Sequence, residues 1–438
     1  MAMEYLSRNH GASGHADGNR RRTSGELRVG RQLEMTWRAL LLVVLTCVCI
    51  PASPVGAQSA PTDPGTGRGR VQFGPLGLTP SVALANLGID TNVFNEVDDP
   101  KSDFTFTVSP QVDASLRVRR ARLQVKARSD LVYFHQYSSE RSADTTVDSK
   151  LEFLGTRITP WVGTSVSSGR QRFGYEIDLR LRRVTRDAGA GVEARFTRRT
   201  HVVVSAHRTQ YEYDGDAMLL GTSVQEVLNR RSESVGLDLR YRLTALTTLV
   251  ASTQTIHDRF EFTPSRNTNS VRLETGFDLT PFALISGRGR VGYRALNGHG
   301  TTPDYSGLVA TVAASSTIKR RTRVDVAAER DVNYSIEFAY PYFLLTGATV
   351  VATPRLTRRW DTQARIGVQR LAYRGDEGIS DLLRNRIDRI RVIGVGVGYL
   401  LGRDMRIGFN VNRERRESPV QRRDYLGYRT GISVTYGR

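Results

Sequence analysis

The chain has 438 residues, 39% of them apolar and 8% aromatic, with 40 glycines and a formal charge of +19. A mean hydropathy of -0.36 excludes a bundle of membrane helices, and the aromatic content argues against an unfolded chain. Only Lys101, Lys126, Lys150 and Lys319 among the 63 basic residues are lysine; the arginines are strewn among acids along the whole length, unlike the one-sided footprint of a nucleic-acid binder, so no nucleic-acid partner is expected.

The N-terminus reads as an export signal. Ala39 to Ile50 is a continuous apolar run but for Thr46, preceded by Trp37 and Arg38 and followed by Val55-Gly56-Ala57 before Gln58. A short apolar core and a small-x-small site define a secretory signal, with cleavage expected between Ala57 and Gln58. A transmembrane helix needs ~20 residues, so the run is too short to be one. Met35 stands just ahead of it, and residues 1–34 read as an upstream extension. Both cysteines, Cys47 and Cys49, fall inside the signal. The exported chain then has neither a disulfide framework nor a thiolate metal site. Residues 58–78, rich in Gly and Pro, read as a periplasmic lead-in, and 79–438 as one domain.

From Phe104 the pattern has period two. Phe104, Phe106, Val108, Val112, Ala114, Leu116 and Val118 alternate with Thr105, Thr107, Ser109, Gln111, Asp113, Ser115 and Arg117. The same alternation runs through 121–131, 283–295, 322–334 and 405–412. Side chains switch faces along a strand, so each strand has one oily and one charged face. The strands exceed the ~5–6 residues usual in soluble proteins and reach the ~9–11 of a tilted transmembrane strand. That combination implies a lipid-facing wall around a wet lumen.

Short links rich in Thr, Pro and Arg occur at Arg119-Arg120 and at 156–160, 197–200, 243–247, 279–281, 319–321, 356–359 and 402–404, with longer polar connections between them. Short turns at one end and long loops at the other mark an outer-membrane barrel. Eight short turns join nine hairpins, hence eighteen strands. The stretch 174–185 looks strand-like, but as one extra strand it would put the turn at 197 on the wrong side; 169–188 therefore reads as a long third loop, with sixteen strands as the fallback. The repeat of the turns and the Trp360-Asp361 pair also raise a β-propeller, but a blade packs four short strands where this chain has two long ones. The expected fold is all-β, a transmembrane antiparallel up-and-down barrel of about eighteen strands in the outer membrane of a Gram-negative-type bacterium. Aromatic residues near the long loops (Tyr133, Phe134, Tyr137, Tyr211, Tyr213, Phe260, Phe262, Tyr293, Tyr334, Tyr340, Tyr342, Phe343, Tyr373) and near the short turns (Trp161, Phe196, Phe282, Trp360) suggest two interfacial belts.

In the last strand Arg429-x-Gly431-x-x-Val434-x-Tyr436 resembles the signal by which barrel proteins are recognised by the barrel-assembly machinery, although Gly437-Arg438 follow the usual terminal aromatic. Asp90-Thr91-Asn92-Val93-Phe94, Ser102-Asp103-Phe104, the Leu-Thr-Pro turn at 279–281, Arg330-Asp331-Val332-Asn333-Tyr334-Ser335 and Gly431-Ile432-Ser433-Val434-Thr435-Tyr436-Gly437 resemble the putative beta-barrel porin 2 family over most of 75–438. Members of that family are often linked to exopolysaccharide loci. The resemblance implies a role in envelope or polysaccharide export and fixes no catalytic residue.

Candidate chemistry dissolves on inspection. Gly287-Arg288-Gly289-Arg290-Val291-Gly292 matches a dinucleotide string, but that site must open a helix, and here strand alternation runs through it and suggests glycines on the lipid face. Gly394, Gly396 and Gly398 mark a smooth strand face. His135, His201, His207, His257 and His299 hold no metal-ligand spacing. No enzyme, cofactor or metal is expected. What remains is the lumen. Alternation points Arg117, Arg122, Arg128, Arg288, Arg290, Arg294, Arg323, Arg365, Arg406 and Arg429 inward, with Asp113, Asp130, Asp325, Glu329, Asp331 and Asp361. They read either as a ladder bracing a wide barrel or as a passage favouring anionic solutes or saccharides. The expected function is a porin-like passive or export pore; the alternative is a structural or assembly component of an exopolysaccharide or envelope export machine with a plugged lumen. Outer-membrane lipid and lipopolysaccharide are expected neighbours. Two loops are candidate plugs or rim covers: 216–230, with Leu220, Val224 and Val227 at helical spacing, and a helix capped at Ser380-Asp381-Leu382-Leu383.

Overall fold

In the computed structural model, which describes residues 71–219, 221–280, 284–300, 302–375, 386–402 and 404–436, eighteen long strands form a closed antiparallel barrel. They are β1 Leu76–Asp90, β2 Asp103–Val118, β3 Ala121–Phe134, β4 Ser142–Phe153, β5 Ile158–Gln171, β6 Leu181–Arg195, β7 Thr200–Tyr213, β8 Arg230–Arg242, β9 Thr247–Phe260, β10 Thr268–Leu279, β11 Ile285–Gly298, β12 Tyr305–Ile318, β13 Thr322–Tyr334, β14 Tyr342–Pro354, β15 Trp360–Arg374, β16 Ile387–Leu401, β17 Met405–Glu417 and β18 Tyr425–Tyr436. Each pairs with the next, and Val82↔Tyr436 through Asp90↔Arg429 join β1 to β18. Closure leaves no edge, the condition for a sheet in lipid. A three-residue strand, Val71–Phe73, folds back on the start of β1. The export signal, the Ala57–Gln58 cleavage point, residues 58–70, Leu220, Phe282, the Ser380–Leu383 cap and Gly437-Arg438 lie outside the described residues.

The short turns fall where the Thr/Pro/Arg links stand. The reading of 169–188 as loop is corrected: Leu181–Arg195 is strand, and only 172–180 connect β5 to β6. The change lengthens two strands already counted and leaves the alternation of short and long connections intact, so the count of eighteen stands.

Outward positions carry the oily parity, among them Leu273, Ile366 and Val395 at 57%, 60% and 59% exposure. In β1 one extra residue keeps that parity. The register shifts between Leu84 and Leu87, with Asn86 at φ 55°. This bulge lets Val82 below it and Ile89 above it both face outward.

One seam departs from the regular ladder. β12 and β13 pair from Ile318↔Thr322 to Ala310↔Arg330 and then part, although both strands continue. Above that rung β13 and β14 turn into the lumen. The Tyr334 hydroxyl donates to Asp258 of β9 at 2.7 Å, and Arg294 of β11 pairs with Asp331 at 2.9 Å. Val332, Tyr342 and Leu344 pack with Leu296 of the facing wall, with Tyr305 and Tyr334 against them. The alternation assigned Val332 and Tyr334 to the lipid face; in the structure they are inside, because the strand carrying them has left the wall.

Candidate functional site

The strands set one residue in two toward the lumen, and most of the charged ones there are paired. Arg122 bonds Glu152 at 2.7 Å, Arg128 bonds Asp130 at 2.9 Å, Arg290 bonds Asp278 at 2.7 Å and Arg294 bonds Asp331 at 2.9 Å. Arg323 bonds Asp325, Arg406 bonds Asp361, and Arg429 bonds Asp90, each at 2.9 Å. Asp113 accepts from Gln111 at 3.2 Å. Among the described residues Arg117, Arg288, Arg365 and Glu329 form no ion pair. Of the glycine string, Gly287 and Gly289 share the outward parity of Val291, whereas Gly292 falls on the lumen face.

The unneutralised charge has a setting of its own on β15–β18. Gln363, Arg365, Asn410, Asn412, Arg429 and Ser433 line a concavity of about 200 Å³. Asn410 donates to Ser433 at 3.1 Å. Gly394 lines it and Gly396 follows on the same strand face, and a Cβ at either would collide with the amide oxygen of Asn412 or Asn410 respectively. The glycine face noted in the sequence is thus the clearance for a row of amides beside a guanidinium. Amides, hydroxyls and arginine are the groups that hold carboxylated or polyhydroxylated solutes.

At the extracellular end the loops fold inward and interlock. The 172–180 loop crosses the mouth. Arg172 reaches the Val93 carbonyl, Glu176 accepts from Ser335 Oγ at 2.6 Å and from the Ile336 N–H at 2.9 Å, and Asp178 pairs with Arg416 at 2.8 Å. A short helix, α1 Val224–Leu228, follows Ser223 as its cap. Val224, Val227 and Leu228 bury beside Ile177, Leu181, Tyr213 and Ile336. Residues 224–228 thus pack against the crossing loop, Ile336 and the mouth-side ends of β6 and β7.

Beside this apolar cluster lies an ionic one. Asp388 is shared by Arg386 at 2.9 Å and Arg416 at 2.6 Å; Glu337 is shared by Arg386 at 2.8 Å and Arg423 at 2.9 Å. The side chains of Arg386, Arg416 and Arg423 are at most 1% exposed. Among the described residues Arg266 pairs with no carboxylate; it donates to the carbonyls of Ser335 at 2.6 Å and Pro341 at 2.5 Å, and burial pulls its pKa down to about 10. Burial raises Glu176 above the usual carboxylate range against the opposing pull of Arg423 and its hydrogen bonds, and it raises Asp178 likewise against Arg416. Between the crossing loop and the wall is a chamber of about 500 Å³, lined by Asp90, Arg128, Asp130, Asp144, Arg180 and Arg429 among others.

The extracellular aromatic belt is corrected accordingly. Phe134, Tyr213, Phe260, Tyr340, Tyr342, Phe343 and Tyr373 are buried in the mouth, while Tyr293 faces outward. Near the short turns Phe196 and Trp360 are exposed, but Trp161 faces the lumen, with the Lys150 ammonium 5.0 Å from its ring. Sequence periodicity did not reveal Glu176, Asp178, Arg386, Arg416 or Arg423, since their meaning lies in partners from distant loops.

The family described as putative beta-barrel porin 2 matches residues 70–438. No curated protein matches the chain significantly. Among solved structures the chain is similar to the Pseudomonas aeruginosa outer membrane protein opdK, with 10% identity, a TM-score of 0.44, and 82% of this chain and 98% of that one covered. It is similar to a BenF-like porin from Pseudomonas fluorescens Pf-5 with the same identity, score and coverage. Its likeness to the copper transporter OprC has 10% identity and a TM-score of 0.41; it covers 81% of this chain and only 63% of the transporter's length.

Proposed function

The chain belongs to the putative beta-barrel porin 2 family, and on that premise we propose a gated outer-membrane pore, biased toward anionic solutes, carboxylated saccharides among them. It is a conduit and performs no catalysis. The supporting observation is Arg365: it lies in an amide-lined concavity without a carboxylate partner, while seven of the lumen arginines are neutralised. A fixed charge in a wet passage biases which ions enter.

On this reading the contacts between loops 172–180 and 335–341 hold the mouth closed, and the shortened β12–β13 ladder offers the opening movement. Pairing past Ala310↔Arg330 would return Val332, Tyr334, Tyr342 and Leu344 to the lipid-facing parity and draw residues 335–341 off Glu176.

The buried ionic core of the plug favours a second reading, a sealed structural or assembly component of an exopolysaccharide or envelope export machine. Single-channel currents of the exported chain in a planar bilayer under a salt gradient separate the two. Stable steps with a reversal potential favouring anions are expected. Steps favouring cations would remove the electrostatic argument. Silence from a folded barrel, persisting after Glu176→Ala, would establish the sealed component instead.

A further inference from the structure

The outer wall carries a charge cluster that a conduit does not need. On β15, β16 and β17 the lipid-facing parity is apolar through Val368, Ile393 and Val411 and then turns to Arg370, Arg391 and Arg413, with Arg389 and Arg415 on the same face. Arg370 stands directly opposite Arg389, and Arg391 directly opposite Arg415. Like charges opposed across a ladder destabilise it. Glu417 is the single acid in the group among the described residues; it meets Arg391 at 3.0 Å and Arg415 at 3.5 Å, and it stands opposite Arg389 in the ladder without an ion pair to it. Among the described residues Arg370, Arg389 and Arg413 form no ion pair.

A second outward cluster shows what self-neutralisation looks like. On β6–β8, Arg186 pairs with Glu212, and Glu233 stands 3.2 Å from Arg231 and 3.9 Å from Arg208. There two acids serve three arginines. On β15–β17, among the described residues, one acid serves five.

We propose that the β15–β17 arginines dock the phosphates of a phosphorylated glycolipid headgroup in the outer leaflet. Height selects the occupant. Arginine is expensive at the bilayer midplane and tolerated near the interface, and these five begin where the apolar band ends, at the extracellular ends of their strands. Guanidinium pairs bind phosphate oxygens in bidentate fashion, which would turn the Arg370–Arg389 and Arg391–Arg415 oppositions from repulsion into two jaws.

The test uses the folded full-length barrel in detergent, titrated with purified lipid A and read by native mass spectrometry. Wild type should retain lipid A, and R370Q/R389Q/R413Q should weaken it about a hundredfold. The control R186Q/R208Q/R231Q should bind as wild type. Equal retention by the first variant would overturn the proposal. So would tighter binding of inorganic phosphate, or of a carboxylated polysaccharide, than of lipid A. Should the triple variant not fold, the salt dependence of wild-type binding decides: affinity unchanged by raised salt would exclude a phosphate–arginine contact.

Discussion

Arg323–Asp325 and Arg416–Asp388 are the same chemical pair at opposite ends of one barrel. The first lies near the short turns with its guanidinium side chain 63% exposed; the second lies under the mouth with both partners at 0%. An exposed pair is screened by water and contributes ~0–1 kcal/mol. A buried one is also weak evidence for net stability, but breaking it is costly because a charge is left stranded. The periplasmic pair is therefore electrostatically adjustable and contributes little to stability. The extracellular half is mechanically committed, and its charges serve to fix which loops meet.

The largest expected effect follows from that commitment. Arg416→Met leaves Asp178 with only the 3.5 Å contact to Arg423 and Asp388 with Arg386 as its one cation, at a cost of about 3–5 kcal/mol. The midpoint of heat-induced loss of the folded, fast-migrating band should fall, and channel openings should lengthen. An unchanged midpoint would show that the mouth is wet and the comparison false. Next comes the seam. Tyr334→Phe deprives the buried Asp258 of its hydroxyl donor and should cost about 1.5–3 kcal/mol. Hydrogen exchange at Asp331–Tyr334 should then accelerate more than at Val324–Ala328 of the same strand.

The sequence exposes the wall better than its contents for a physical reason. A strand between lipid and water must alternate, so β10 is legible from Val271, Leu273 and Phe277 alone. The start of β6 was missed because Arg182 and Arg183 are adjacent charges that blur the alternation. The seam was invisible because Val332 and Tyr334 keep the lipid-facing parity while the strand carries them inside. Glu176 sits in an aperiodic loop, and the backbone it caps is 160 residues away. The outward arginines of β16 and β17 are different: Arg389 and Arg391 share the parity of Ile393 and Val395, so that signal was present in the pattern.

Acidity offers a smaller handle on the same contrast. Burial raises Glu176 and Asp178, so the folded mouth holds protons that the unfolded chain has released. Between the ordinary carboxylate range and the raised values, stability falls as pH rises. The plug should thus be firmer in mild acid, and open probability should climb as pH rises above the ordinary carboxylate range. Glu176→Gln should flatten most of that slope; a slope of the opposite sign would mean that the carboxylates are held charged by Arg423 and Arg416 instead.

The smallest stability effects belong to the exposed lumen arginines, where the largest selectivity effects are expected. Arg323→Ala should move the unfolding midpoint by no more than ~1 kcal/mol, since water already solvates both partners. Removing it also frees Asp325, so the lumen there becomes net negative and the reversal potential should shift toward cations. Arg365→Gln differs in one respect: no carboxylate is released, so the shift measures the loss of one free positive charge alone. If Arg365→Gln leaves selectivity untouched while Arg323→Ala changes it, the anion bias resides in the ladder and not in the amide-lined concavity. The reverse outcome would place it at Arg365, the one position in that concavity whose charge the barrel has left unspent.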